Sequence, residues 1–227
     1  MKYTSFTLIE LLTVTAITAL LAAIMLPALS AARDRARNSN CLNNTRMLGM
    51  AYCMYSNDYA YTPPVWNKDQ RWVHLLQNYL GNNQAVWLCG FDDRPDEKKL
   101  LSQDGSRFSL SYGINQVYRR DPDFRKKPYL LWHGIAFQLI REPSEFITSA
   151  DAGSYYIGQS AAGQGRLGVL NGEKAVVGGF CGYLALRHRG GFDFTAAFAD
   201  GHAQNLVYEN MPTRYWDYNN DSYEDFQ

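Results

Sequence analysis

A chain of 227 residues is long enough for one globular domain with an appendage, and its basic and acidic side chains balance at 22 each. That balance excludes the basic excess that wraps nucleic acid and the acidic excess of a disordered, solvating chain. Sixteen tyrosines, five tryptophans and 18 glycines point to a β-rich, loop-rich exported domain rather than a helical cytosolic one.

The first element is the run from Phe6 to Leu26, FTLIELLTVTAITALLAAIML, followed by Pro27. Sixteen of its 21 positions are apolar, and the exceptions are Thr7, Glu10, Thr13, Thr15 and Thr18. Threonine hydroxyls can bond back to their own helix, and about 20 apolar residues span a bilayer. A cleaved secretory signal would use Lys2 as its basic flank and the small residues Ala28 and Ser30 before the cut. The run is longer than the ~7–15 residues of such a signal's apolar region. Glu10 suits neither a signal nor a plain anchor, because an ionised group in hydrocarbon costs on the order of 3 kcal/mol unless it is paired. The segment offers no cation at that depth: Arg33 is 23 residues further on, about 35 Å along a helix. A partner is therefore expected from another molecule. The flank RDRAR, with Arg33, Arg35 and Arg37, would by positive-inside counting favour the cytoplasm for the C-terminal side.

After Pro27 the helical pattern continues to about Asn57. Cys41, Leu48 and Tyr55 recur every seven residues, with Thr45 and Tyr52 on the adjoining row. Residues 30–57 thus read as an amphipathic continuation whose stripe needs cover from the rest of the chain, residues 58–227. Pro27 is expected to kink or locally melt the helix, since it has no amide to donate, and Gly49 is a second weak point. A short helix is expected near Lys68 to Leu80, ended by Gly81-Asn82. Strands are expected around Val86 to Cys89, Phe108 to Val117, Phe146 to Ala150, Val176 to Leu186 and Phe194 to Ala199. Asp200-Gly201 reads as a two-residue hairpin turn. Residues 119–128 and 158–172 read as exposed loops, and the tail from Glu209 as an acidic, solvated end. The architecture expected is α+β, a long helix laid on an antiparallel sheet.

Signals for chemistry are few. Gly163 to Gly168, GQGRLG, matches a dinucleotide-loop pattern but lacks a following helix and a spaced acid. His188, His202, Asp193 and Asp200 could in principle hold a metal, yet they lack ligand spacing and Asp200-Gly201 already has a turn role. Trp66, Trp72, Trp87, Trp132 and Trp216 could stack on a polysaccharide; aromatics of this kind more often fill a sheet core. With no nucleophile elbow, phosphate loop or paired-carboxylate motif in view, the expectation is a protein that is no enzyme and takes no cofactor and no metal.

The leader MKYTS, then FTLIELL with Glu10 as the fifth residue after it, then the apolar helix and Pro27, closely resembles the prepilin-type N-terminus of type IV pilins and type II secretion pseudopilins. The resemblance implies a leader of residues 1–5 and a transmembrane or filament-core helix over residues 6–29. It implies cleavage by a prepilin peptidase between Ser5 and Phe6, with N-methylation of Phe6; Ser5 stands where that family commonly has Gly. It further implies that Glu10 neutralises the N-terminal amine of a neighbouring subunit on assembly, with Pro27 shaping the helix. The implied partners are the peptidase, an inner-membrane assembly platform, membrane lipid, and self or other pilin-like subunits. The implied location is the bacterial inner membrane, with the globular part periplasmic or, in a filament, extracellular. This topology takes precedence over the arginine count. The function implied is a structural subunit of a type IV pilus-like filament or a type II secretion pseudopilus. The alternative is a membrane-anchored binding module with an aromatic carbohydrate-binding face.

The remainder, in CLNNTRMLGMAYCMYSNDYAYTPP, VWLC, SYGIN and AFADGH, resembles the C-terminal domain of the large pilin-like families of Planctomycetes, Verrucomicrobia and Lentisphaerae. In these a His, a Gly-rich step and a Phe-Ala-Asp-Gly strand end recur. His188, Gly190, Gly191 and Asp200-Gly201 match, with a longer spacer between His188 and Asp200 than those families show. Some pseudopilins bind calcium through loop carboxylates, which Asp217, Asp221 and Glu224 could mimic; a solvated acidic tail is the plainer reading. The four cysteines suggest two disulfides. Cys41 and Cys53 lie twelve residues apart on one expected helix, about 18 Å, against the Cα separation of about 7 Å that a disulfide tolerates. Resemblance to the family's helix-to-loop bridge implies Cys41 with Cys89, leaving Cys53 with Cys181 or as a buried free thiol.

Overall fold

The computed structural model describes residues 7–67, 70–92, 100–101, 107–115, 134–152, 156–157, 168–171, 174–176 and 183–208. The chain divides into two compact units, Met1–Ser39 and Asn40–Gln227.

Helix α1 spans Leu8–Tyr59. Its start is a capping box written as Thr7-Leu8-Ile9-Glu10: Glu10 N donates to Thr7 Oγ1 at 3.3 Å, and Thr7 N donates back to Glu10 Oε2 at 2.9 Å. Thr13, Thr15 and Thr18 return their hydroxyls to carbonyls one turn earlier. Within the first unit every described side chain up to Arg37 is exposed, among them Leu8, Ile9, Leu20, Ile24 and Leu26. The residues around Pro27 stay helical, so the expected local melting does not occur: a proline removes one hydrogen bond, and the turns on either side hold the rest.

In the second unit the same helix becomes one-sided. Cys41, Thr45, Leu48, Gly49, Ala51, Tyr52 and Ser56 are buried, the stripe expected from the heptad spacing. It covers the central sheet, ordered β12 (Ala203–Val207), β11 (Asp193–Phe198), β6 (Ile147–Asp151), β5 (Tyr112–Asn115), β7 (Tyr156–Ile157). The first four run antiparallel and β7 pairs parallel at the edge. The fold is therefore α+β, as expected. Minor pairs are β1 (Trp66–Asn67) with β2 (Gln70–Arg71) and β3 (Leu100–Leu101) with β4 (Arg107–Phe108). A second sheet joins β10 (Tyr183–Leu186), β8 (Gly168–Asn171) and β9 (Lys174–Val176). Strand β8 occupies part of the segment expected to be a loop.

Strand β11 is buried on both faces because its alternation serves two cores. Phe194, Ala196 and Phe198 pack with Ile147, Ala150 and Leu184. Thr195, Ala197 and Ala199 face the helix row Thr45, Gly49, Cys53: Thr45 Oγ1 is 2.8 Å from Thr195 Oγ1, and the Cys53 thiol donates to Ala199 O at 3.1 Å. A Cβ on Gly49 would lie 2.8 Å from that of Ala197, so this glycine marks the closest approach of helix and sheet rather than a weak point.

Beneath α1 the other core holds Trp72, Val73, Leu76, Val86, Trp87, Leu110 and Ile114, with the two indoles edge to face at 5.7 Å. Helix α2, Trp72–Gln77, is shorter than expected and passes through a 3-10 turn to Gly81 and Asn82, both left-handed. Residues Gln84–Trp87 form a 3-10 turn instead of the expected strand. Asn83 caps it through Ala85 N, and Val86 and Trp87 enter the same core, which a strand's alternation would have split. Four residues, Ala199, Asp200, Gly201 and His202, connect β11 to β12, with Gly201 left-handed, where a two-residue turn was expected. Gly201 N closes the connection on Phe198 O at 3.0 Å.

Candidate functional site

His188, His202, Asp193 and Asp200, which could in principle hold a metal, are not brought together as one ligand set. His202 Nδ1 lies 2.6 Å from Asp200 Oδ1 at the exposed hairpin tip, stacked on Phe198 at 4.2 Å. Asp193 pairs with Arg189 at 3.2 Å. His188 instead turns inward, and the glycine step explains how. Arg189, Gly190 and Gly191 all have positive φ, and His188 and Asp193 exchange both backbone hydrogen bonds, at 3.0 and 3.2 Å. A four-residue reversal so tight leaves the imidazole 1% exposed.

There it meets Asp151, the last residue of β6 and fully buried. His188 Nε2 sits 3.0 Å from Asp151 Oδ2, which also accepts from Thr195 N and Thr195 Oγ1, each at 2.7 Å. Arg187 Nη1 approaches Asp151 Oδ1 at 3.6 Å, while Nη2 pairs with Asp92 at 3.0 Å. The same guanidinium donates to Ser111 O at 2.6 Å and Ala152 O at 2.8 Å. Burial alone would raise the Asp151 carboxyl, but the bond and charge of His188, then Arg187 and the Thr195 amide, hold it below the usual carboxylate range. Burial alone would lower His188, and the Asp151 bond and charge outweigh it and raise the imidazole. Each partner therefore favours the charged form of the other.

On the far side of the imidazole lie two sulfurs. Cys89 Sγ is 3.6 Å from His188 Nε2, and Cys41 Sγ is 2.8 Å from Cys89 Sγ. Cys41 sits on α1, and Cys89 on the segment that follows the 3-10 turn. Gly90 N donates to Cys41 Sγ at 3.2 Å, and Phe91 covers His188 with ring centroids 4.8 Å apart. The Cys89 thiol's hydrogen bond draws Cys41 down to about 7 against its burial, aided by the Gly90 amide. The same bond, with burial and the Asp151 charge, pushes Cys89 up.

Cys41, Cys89 and His188 place three donors within 4.8 Å of one another, so a thiophilic metal was tested against the geometry. Two thiolates at about 2.3 Å from one tetrahedral zinc stand about 3.7 Å apart. At 2.8 Å the sulfurs are too close for that and suit a bond to each other.

Of the other residues singled out in the sequence, Ser5, Phe6, Cys181, Asp217, Asp221, Glu224, Trp132 and Trp216 lie outside the described residues, as does most of GQGRLG. Glu10 is exposed and held by Thr7. Cys53 is a thiol raised to about 11 by burial. Trp72 and Trp87 are core residues, at 0% and 1% exposure, so no stacking face is built from them. Sequence reasoning missed Asp151, Arg187, Asp92 and Thr195. Asp151 had a readable signal: a carboxylate ending the apolar strand FITSAD requires a buried cation, and Arg187-His188 is an adjacent basic pair flanked by strand.

Comparison with protein-family models, with curated proteins and with solved structures returns no match for this chain.

Proposed function

We propose that this chain is a structural, pilin-like subunit, processed between Ser5 and Phe6 by a prepilin peptidase and then assembled with like subunits into a type IV pilus-like filament or a secretion pseudopilus. It performs no catalysis of its own. The observation that carries the reading is the first part of α1. Its apolar side chains are exposed around the whole circumference, with mean hydropathy 2.2 over an 18-residue window, and Glu10 is its only ionisable group before Arg33. Each exposed Leu or Ile there forgoes about 1.5–3 kcal/mol of burial, so the segment calls for lipid or neighbouring helices. The capping box gives Glu10 a local partner in the lone chain, so its carboxylate needs no neighbour until assembly offers the amine of another subunit. Intact mass spectrometry of the native protein tests this: a chain beginning at methylated Phe6 supports it, whereas one that retains Met1 or begins after Ser30 overturns it.

A membrane-anchored module that binds carbohydrate is the second reading. Its support is Tyr59 and Tyr61, 60% and 56% exposed, with the Tyr59 ring tilted against that of Tyr55, centroids 4.5 Å apart. Glycan-array binding that survives Glu10→Ala and fails in Tyr59→Ala would favour it.

A further inference from the structure

We propose that the end of α1 carries an arginine-binding corner, formed by Asp58, Tyr59, Tyr55 and Tyr79, whose occupant is the Arg33–Arg37 stretch of a second copy of this chain. The proposal rests on the assembly reading above and names one contact within it. Helix spacing builds the corner. Tyr55, Asp58 and Tyr59 stand at i, i+3 and i+4 on α1 and so share a face, and Tyr79 joins them from the 3-10 turn Asn78–Leu80. The Tyr79 hydroxyl donates to Asp58 Oδ2 at 2.6 Å, which fixes the carboxylate and leaves Oδ1 for another donor. The Tyr55 ring lies 4.5 Å from that of Tyr59 and, edge on, 6.3 Å from that of Tyr79. Three features of one sign therefore meet: a carboxylate, the faces of the tyrosines, and the C-terminal end of a 52-residue helix whose last turn holds no basic residue. Each favours a cation. Among the described residues Asp58 makes no ion pair and no bond besides the one from Tyr79.

The shape selects which cation. Rings 4.5 Å apart leave no slot between them, so a quaternary ammonium finds no enclosing cage. One carboxylate is too small a set for calcium, which takes about six to eight oxygens. A guanidinium is planar: it lies flat on one exposed tyrosine face, here Tyr59, while its edge donates to the carboxylate. The chain itself supplies such groups. The Arg33 and Arg35 side chains are exposed and without a partner among the described residues, and Arg37 meets Asp34 at no less than 3.8 Å. Arg37 and Asp58 are 21 residues apart on α1, about 32 Å of helix, so these arginines cannot fill the corner of their own chain. Met50 and Met54, both exposed, precede Asp58 by two turns and by one on the same face, an apolar rest for the incoming helix. Corner and arginines are different surfaces of one chain, so the contact is heterologous, the kind that repeats into an open filament when its rotation does not close a ring.

The test uses the full-length chain in detergent, with a benzophenone-bearing amino acid in place of Tyr59. On illumination the crosslinked peptide of the second copy should be the one around Arg33–Arg37. Self-association, followed by sedimentation at low salt, should weaken about fivefold in Tyr59→Ala, the order of one exposed cation–π contact, and at least about tenfold in Asp58→Arg, where like charges would face each other. Arg33→Asp combined with Arg35→Asp should weaken it to a similar degree, and adding Asp58→Arg to that chain should recover most of the loss. The two arginines precede the globular unit, which keeps the test valid if Asp58→Arg disturbs the fold. A crosslink to any other segment, association unmoved by the arginine substitutions, no association at all, or glycan-array binding abolished by Tyr59→Ala would each overturn the proposal. The N-terminus decides the assembly reading separately. A chain that begins at methylated Phe6 and crosslinks elsewhere loses this contact and keeps that reading, whereas one that retains Met1 loses that reading whatever the crosslink shows.

Discussion

One helix carries two different solvents' worth of sequence. From Leu8 to Ser39 α1 is apolar around its circumference until the arginines begin, and no described side chain before Asn38 is covered. From Asn40 to Tyr59 it is apolar along one stripe, and that stripe is buried. The two parts also handle charge in opposite ways. Glu10 is exposed and held by one neighbour in its own turn. Asp151, beneath the second part, is fully buried and held by three residues, Thr195, Arg187 and His188. Helical periodicity alone therefore says little about what a helix packs on. The width of the apolar face, and where its one acid finds partners, says more.

The sharpest way to test that contrast is to delete each acid. Asp151→Ala strands a buried imidazole and the Thr195 amide, and a buried pair broken from one side costs about 3–5 kcal/mol. A large fall in the thermal midpoint of the globular part is expected. Glu10→Ala should leave that midpoint unmoved, within about 0.5 kcal/mol, while removing the chain from any filament. Equal effects would show that the two parts do not differ as argued.

Acidity probes the same pair from both sides. Asp151 is lowered in the folded chain, so its contribution is present above the unfolded carboxyl range and is lost as pH falls through the folded value. His188 is raised, so its contribution is complete below the unfolded imidazole value, about 6.5, and is lost as pH rises through the folded one. Stability measured by urea unfolding should peak between these limits. His188→Gln should flatten the alkaline side and leave most of the acid side.

Packing gives the next contrast. Gly49→Val drives its side chain into Ala197, where a Cβ already stands at 2.8 Å, and overpacking of this kind costs about 1–3 kcal/mol. Ala197→Gly should recover part of the loss. Ala22→Val, on the exposed part of the same helix, should change the midpoint of the globular domain by nothing measurable.

The legible parts of this fold are those where one period dominates. Cys41, Leu48 and Tyr55 announced the stripe, and the strands around Ile147 and Phe194 announced the sheet. Their ends and turns were less legible: Val86 to Cys89 read as strand because Val86, Trp87 and Leu88 are adjacent and apolar, yet a 3-10 turn over Gln84–Trp87 aims Val86 and Trp87 at one core. In the site, His188 and both glycines after it were visible as a unit. Their purpose was not, because Asp151 is 37 positions away and no local spacing relates the two. Thr195 was hidden for a similar reason, since a threonine in a strand usually reports only β propensity.

The smallest expected effect lies at the start of α1. Thr7→Val removes the hydroxyl that accepts from Glu10 N and frees the Glu10 carboxylate from that side chain. Loss of such a cap costs about 0.5–2 kcal/mol locally, in a turn whose described side chains are all exposed. Global unfolding should therefore not register it, and amide exchange in the first turn, Leu8 to Leu11, should. Faster exchange confined to that turn would show that Glu10 is satisfied locally in the lone chain. If exchange is unchanged, the capping box carries no weight, and Glu10 depends on a partner from the outset.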